Sequence, residues 1–379
     1  MTAKKVVCLV INSLGGGGAE RVFARLANML GRRDNDYKLV VITLDTDIIE
    51  NPILDSIEHI QLNCAGSLLK SIINLRKILK SMQPTVVISF LTRANVCSVI
   101  AAFRNSFKVI ISERVNTSSH FGKGLKGQIK KSFTRFFYEK ATVIIAVSEG
   151  VKEDLNAFFK LEHKDIIVIG NSYSYTDLLK KASEFDVEYP AHSYIVCVGR
   201  FYKNKNHSLL IKAMKNTDSP KTLVLLGDGP LRAELEELVI ELGLEDKVVF
   251  KGFVNNPYPY IKNSAGLISA SLAEGFPNVI AEALVLGKFV VSSDCQSGPS
   301  ELLNECVSLG VKQLSFAKFG VLLPVNDEVA TAQGIALFNQ PETINTYQEK
   351  TIYLRERYSH QAFLSRFTKI INEALDDNK

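Results

Sequence analysis

Two glutamates with seven residues between them, Glu274 and Glu282, bracket the run Gly275-Phe276-Pro277-Asn278-Val279. Pro277 at a first helical turn leaves amides such as those of Asn278 and Val279 free to point at an anion or a hydroxyl. Glu282, one turn into that helix, can accept a pair of hydrogen bonds from vicinal hydroxyls, as on a ribose. Upstream, an apolar run ends in Val198-Gly199-Arg200, and Lys205 follows in Tyr202-Lys203-Asn204-Lys205-Asn206. Two cations just past a strand end suit a diphosphate, although a strand-end arginine can equally serve a structural ion pair. Gly227-Asp228-Gly229-Pro230 closes the next apolar run. Near the start, Gly15-Gly16-Gly17-Gly18 precedes Ala19-Glu20-Arg21. Such a loop is either an anion site at a helix amino end or a tight turn, and both readings stay open. A dinucleotide fingerprint would need a third glycine where Glu20 stands, and there is no Walker lysine.

Metal chemistry has weaker support. Asp45-Thr46-Asp47, close to Glu50, has the D-x-D form of metal-dependent transferases, but its place after a strand favours a turn or solvated acids. The six histidines show no H-x-x-x-H spacing and the six cysteines no C-x-x-C pair. The expectation is no metal site and no cofactor.

The elements that must position these residues are legible as alternation. Strand-like runs at 5–12, 38–44, 85–90, 108–112, 142–147 and 166–169 are followed, after a gap, by others at 194–199, 222–226, 247–251, 265–270, 288–292 and 320–323. Their near-continuous Val, Ile and Leu content suits parallel strands covered on both faces, with amphipathic helices between. The fold class is therefore α/β, two Rossmann-like doubly wound parallel-sheet domains with helices after the last strand. The alternation pauses over 171–193, which sets the domains at 1–185 and 186–379. A cleft between such domains is the default ligand site.

With 379 residues, 46% apolar and 22% charged, the chain is globular and too long for one core. No apolar run reaches the ~18–20 residues of a membrane span, and 6–11 reads as a strand rather than a signal core. A cytoplasmic protein is expected. The net charge of +5 conceals an asymmetry: residues 1–185 carry 26 basic and 17 acidic groups, residues 186–379 carry 19 and 23. The first half should therefore meet something anionic, and no recognition-helix or RNP signature favours nucleic acid. Segments 67–82 and 124–141 pair apolar stripes with cations. The apolar residues, Leu68, Leu69, Ile72, Ile73 and Leu79, then Ile129, Phe133, Phe136 and Phe137, are expected in the core. The cations, Lys126, Lys130, Lys131 and Arg135 among them, are expected on an anionic lipid surface.

Taken together, the motifs resemble those of a retaining family-4 glycosyltransferase of GT-B architecture, and the resemblance spans the chain. It rests on Gly-Gly-Ala-Glu-Arg, the Gly199-Arg200 and Lys205 pair, Gly-Asp-Gly, the two glutamates in their E-G-F-P-N context, and Ser293-Asp294-Cys295 through Gly298-Pro299 to Glu301. Ile111-Ser112-Glu113-Arg114 is similar to a bacterial subgroup that builds lipid-linked or polymer glycans. Many relatives have histidine where Arg114 stands, and Pro-Asn-Gly where Gly170-Asn171-Ser172 stands; His120 lies nearby without matching a motif.

The resemblance implies a catalytic set of Arg200, Lys205 and Glu274. The two cations would neutralise the leaving nucleoside diphosphate, with Glu274 near the donor sugar. Donor binding would fall to Gly199, Phe276, Asn278, Val279 and Glu282, with Gly17 and Gly18 approaching from the first domain. Glu113 and Arg114 join the four cations as acceptor or membrane candidates. The helix at about 359–375 is a candidate to pack back on the first domain. The implied reaction moves a hexose or N-acetylhexosamine from a UDP-sugar to a polyprenyl-diphosphate-linked glycan, on the inner face of the cell membrane. The rivals are a GT-B-shaped UDP-sugar epimerase, which needs no acceptor, and a two-domain binding protein without turnover.

Overall fold

A computed structural model describes residues 4–118, 121, 124–307 and 310–376; His120 lies outside them. The chain divides into two compact units, one of Met1–Ser172 with Gln361–Lys379, the other of Tyr173–His360.

In the first unit the strands are β1 (Lys5–Ile11), β2 (Tyr37–Thr43), β3 (Glu58–Gln61), β4 (Val86–Phe90), β5 (Lys108–Glu113), β6 (Val143–Ala146) and β7 (Ile166–Val168). They form one sheet in the order β3-β2-β1-β4-β5-β6-β7, every pair parallel. Between them run α1 (Gly18–Gly31), α2 (Leu68–Met82), α3 (Thr92–Ala102), α4 (Leu125–Tyr138) and α5 (Glu149–Phe159). Helix α1 buries Val22, Phe23, Leu26 and Leu30 on one stripe against the sheet. Ser67 and Ser148 each accept a backbone N–H at the starts of α2 and α5, the usual task of an N-cap hydroxyl.

The second unit begins with α6 (Tyr175–Lys181), then β8 (Tyr194–Val198), α7 (His207–Lys215), β9 (Thr222–Leu226), α8 (Arg232–Leu242), β10 (Val248–Gly252), α9 (Tyr258–Asn263) and β11 (Gly266–Ser269). It continues through α10 (Asn278–Val285), β12 (Val290–Ser293), α11 (Pro299–Asn304), β13 (Ser315–Phe316), β14 (Val321–Leu323), α12 (Glu328–Ala336), α13 (Pro341–Lys350) and α14 (Ile352–Arg357). Its sheet runs β10-β9-β8-β11-β12-β14-β13, parallel except for the β13–β14 pair.

Every strand run read from the sequence is present. The two short edge strands β3 and β13 were not anticipated, because neither carries an apolar run: β3 is Glu-His-Ile-Gln and none of its residues is fully buried. The division falls at Ser172–Tyr173 rather than at 185–186. Tyr173, Leu178 and Ala182 are buried against Tyr194, Val196 and Val224 of the second unit, so α6 belongs to that core despite its polar sequence. From Pro341 onward, after α13 and α14, comes α15 (His360–Asp376). Helix α15 returns to the first unit, where Phe363, Phe367, Ile370 and Ile371 join its core. Phe367 stacks on Phe90 of β4 at 6.1 Å, and Lys5 donates to the Leu375 carbonyl at 2.7 Å.

Candidate active site

The second unit carries most of the chemistry, at the carboxyl edge of its sheet. Glu274 follows β11 in an irregular loop, and Lys205 ends a short 3-10 turn after β8. Their side chains meet: Lys205 Nζ lies 2.5 Å from Glu274 Oε1, and the pair is largely buried. The same carboxylate oxygen accepts the Ser271 hydroxyl at 2.7 Å. The loop is held from below, since Ser297 Oγ donates to the Glu274 carbonyl and Ser293 Oγ to the Ser271 carbonyl, both at 2.6 Å. It is tied to the lysine loop by Leu272 N–H donating to the Asn204 carbonyl at 2.8 Å.

Gly-Asp-Gly proves to be a backbone spacer for Arg200. A Cβ on Gly227, whose φ is +153°, would lie 2.0 Å from the Gly199 carbonyl oxygen, and one on Gly229 would lie 2.7 Å from that of Phe201. Such close approach lets Phe201 N–H reach the Asp228 carbonyl at 2.9 Å, pinning the loop that carries Arg200. The Arg200 guanidinium is exposed, 5.3 Å from the Tyr202 ring, and no carboxylate pairs with it among the described residues. Gly199 has a different role, with the Lys205 stem lying along it.

Pro277 is the N-cap of α10 rather than its first helical residue, so Asn278 and Val279 supply the first two amides, which have no intrahelical acceptor. Gly298, at φ +100°, sits so close to Pro277 that a Cβ would lie 2.3 Å from its Cδ; the 293–301 segment thus buttresses the α10 amino end. Glu282 is buried and accepts Tyr258 OH at 3.2 Å. Asn278 accepts Tyr173 OH at 2.5 Å, and Phe276 meets the Tyr358 ring edge-on at 6.3 Å. Sequence reasoning missed Ser271, Tyr258 and His207. The SxxE spacing signalled the first; nothing local signals the other two. The buried His207 packs edge-on to Phe201 at 4.8 Å, and burial, with Lys205 nearby, lowers its pKa to about 4, so the ring is neutral. Burial also pushes the Cys197 thiol up to about 12, which leaves it unreactive.

In the first unit Gly17 is the N-cap of α1 and Gly18 its first residue. The Glu20 carboxylate folds back so that a Cβ on Gly17 would lie 1.9 Å from its Oε2, and burial raises the Glu20 pKa. Glu113 and Arg114 are not surface groups. Glu113 is 0% exposed and accepts Tyr138 OH at 2.5 Å, Thr92 Oγ1 at 3.1 Å and the Arg114 amide at 3.2 Å. Arg114 is buried against Ile169 O, Asn171 and the Phe90 ring. Direct contact of Glu113 with an acceptor or membrane is therefore corrected to an internal tie among β5, α3 and α4. Asp45 pairs with Arg93 and accepts the Gly66 amide at 2.9 Å. Among the described residues no three His, Cys, Asp or Glu side chains form a group that could hold a metal.

The apolar stripe of α4 is likewise corrected: Ile129, Phe133 and Phe136 are 41–62% exposed, Phe137 is half-buried against the Phe103 ring, and the helix buries only Thr134 and Tyr138. On α2, Leu68, Leu69 and Ile73 are exposed while Leu79 is core. Lys126 and Lys130 are exposed and Lys131 half-buried, with Lys130 over the Phe121 ring and Lys131 over that of Phe158. Arg135 pairs with Glu139 at 2.8 Å. No helix among the described residues is long and apolar enough to cross a membrane.

Residues 192–338 match the family model for glycosyl transferases group 1, and residues 16–174 that for glycosyltransferase family 4. A protein of Campylobacter jejuni, N-acetylgalactosamine-N,N'-diacetylbacillosaminyl-diphospho-undecaprenol 4-alpha-N-acetylgalactosaminyltransferase, is 32% identical over 86% of this chain and 88% of its own. Among solved structures, HepE of Anabaena in complex with UDP superposes with a TM-score of 0.76 at 17% identity, covering 97% of this chain and all of that one. The lipopolysaccharide outer core galactosyltransferase WaaB gives 0.74 at 19% identity, over 97% and 99%. These two likenesses carry the fold, GT-B.

Proposed function

The chain belongs to glycosyltransferase family 4, and from that premise we propose that it moves a hexose or N-acetylhexosamine from a UDP-sugar to a polyprenyl-diphosphate-linked glycan, with retention at the anomeric carbon. The observation that carries the reading is the Lys205–Glu274 pair fixed by Ser271 in the loop that leads into α10, with Arg200 on the loop after β8. Expelling a diphosphate builds negative charge on the leaving oxygen, and cations already in place stabilise it without reorganising water. Arg200 and Lys205 supply that charge, the Asn278 and Val279 amides hold a phosphate or sugar oxygen, Glu282 takes the ribose hydroxyls, and Glu274 faces the sugar. In the first unit, Gly17 and Gly18 begin α1, whose amino end suits an anionic group of donor or acceptor. The Campylobacter relative's diphospho-undecaprenol acceptor and the UDP held by HepE support the acceptor and donor classes. With two cations and a helix end to balance the diphosphate, the reaction needs no metal.

The acceptor lies in a bilayer, and the first unit presents the surface to meet it. The exposed apolar residues of α2 and α4, set among cations, dock peripherally on the anionic inner face of the cell membrane. The deciding experiment incubates the protein with labelled UDP-sugars and a membrane extract containing lipid acceptor, with and without EDTA. Transfer to lipid that survives EDTA is expected. Conversion of donor without acceptor would mean an epimerase, and nucleotide binding without turnover a binding protein; EDTA loss restored by manganese would overturn metal independence.

A further inference from the structure

At the other edge of the second sheet a cavity of about 360 Å³ opens, lined by Lys262 of α9, Leu286, Gly287 and Lys288 of the α10–β12 connection, Gln348 and Glu349 of α13, and Ile352 and Arg355 of α14. Lys262 precedes β11 and Lys288 precedes β12, whereas Glu274 and Arg200 follow the carboxyl ends of β11 and β8. In a parallel sheet those are opposite edges, so the cavity is no part of the donor site.

Its chemistry is cationic, three basic residues against the single carboxylate of Glu349. Lys288 is only 4% exposed and has no ion-pair partner among the described residues. One of its three protons goes to the Lys262 carbonyl at 3.0 Å, in the last turn of α9, an ordinary helix-end contact. That leaves a buried ammonium without an anion, a costly state whose signature is a pKa lowered by desolvation to about 8. Arg355 is held in place: its guanidinium lies 3.7 Å over the Tyr175 ring and Nε donates to the Val285 carbonyl at 3.2 Å. Gly287, at φ +80°, puts no side chain beside Arg355 Nη2, from which a Cβ would lie 3.5 Å. Nearby, burial lowers the His192 pKa and the positive charge of Lys288 lowers it further. So concentrated a positive site is set in the half of the chain, residues 186–379, with 19 basic and 23 acidic groups.

We infer that this cavity binds a phosphomonoester of a small polyhydroxy compound, of the hexose monophosphate class. Lys288 and the fixed Arg355 fork take the phosphate, and Gln348 and Glu349 take hydroxyls. Arg355 lies on α14, just before the chain leaves this unit at His360, so an occupied site ties that helix to the α10–β12 connection.

The test is isothermal titration of the full chain with glucose 6-phosphate, with inorganic phosphate and glucose as parallel arms. Saturable binding of glucose 6-phosphate is expected, about tenfold tighter than of inorganic phosphate, and at least about tenfold weaker in Lys288→Met and Arg355→Gln, with UDP affinity unchanged in both. If Lys288→Met fails to fold, Arg355→Gln carries the test alone. No saturable binding of either phosphate, or wild-type affinity in the folded variants, overturns the site. Equal affinity for the two phosphates overturns its hydroxyl-recognising part.

Discussion

At Glu274 a single carboxylate oxygen accepts both Lys205 and Ser271, which fixes the side chain while leaving Oε2 to meet a ligand. On the proposed reaction Lys205 would have two tasks, as partner of Glu274 and as counter-charge for the diphosphate, whereas Arg200 would have only the second. Arg200→Ala and Lys205→Ala should each lower turnover by about 10²–10³-fold, the range for a lost transition-state donor. Single-turnover kinetics at saturating donor check this, and near wild-type rates would remove the residue from the diphosphate site. If Glu282 holds the ribose, a non-reacting part of the donor, Glu282→Ala should raise the donor KM while changing kcat little. Because Tyr258 loses a hydrogen-bond partner in that variant, a folding check by circular dichroism accompanies the measurement. Unchanged donor kinetics in a folded protein would end the ribose assignment.

The elements that set these residues carry their own vulnerabilities. Helix α7 opens on His207, whose ring nitrogens are buried without a hydrogen-bond partner. In the folded protein its pKa is about 4, below the ordinary value near 6.5. Above both values the ring is neutral in folded and unfolded chains alike. As pH falls from 6.5 toward 4 only the unfolded chain takes the proton, so stability declines across that window and levels off below it. Replacing the ring by His207→Phe should flatten the decline in melting temperature between pH 6.5 and 4, and an unchanged slope would show that other groups dominate. Helix α4 turns its apolar stripe outward, so its effect should appear on membranes. Wild type should float with anionic liposomes and release with salt. Changing Lys126, Lys130, Lys131 and Arg135 together to Gln should weaken flotation, each lost cation contributing roughly 1 kcal/mol near the surface. Equal flotation of both proteins, or indifference to anionic lipid, would rule this surface out.

For the molecule as a whole, the first unit is completed by the last helix of the chain. Phe367 is 1% exposed and stacks on Phe90, so Phe367→Ala should destabilise that unit by about 3–5 kcal/mol, read by denaturant unfolding. A loss under about 1 kcal/mol would mean that α15 is dispensable to the core. The amino-acid sequence by itself determined the alternating strands, the two-domain α/β class and the E-G-F-P-N…E, Gly-Arg and Lys motifs, because parallel strands and strand-end loops write themselves as short local patterns. It could not determine which core claims a given apolar face. The α4 stripe has core-like spacing yet faces outward, and the polar-looking α6 joins the second unit through Tyr173, Leu178 and Ala182. Glu113 lies in a motif that invites a surface role, but Thr92 of α3 and Tyr138 of α4, with the adjacent Arg114 amide, close around it. Lys288, one lysine among many in the sequence, becomes unusual only when α9, α13 and α14 come together beside it. Burial and partnership are decided by residues far apart in the chain, so only the tertiary structure could settle them.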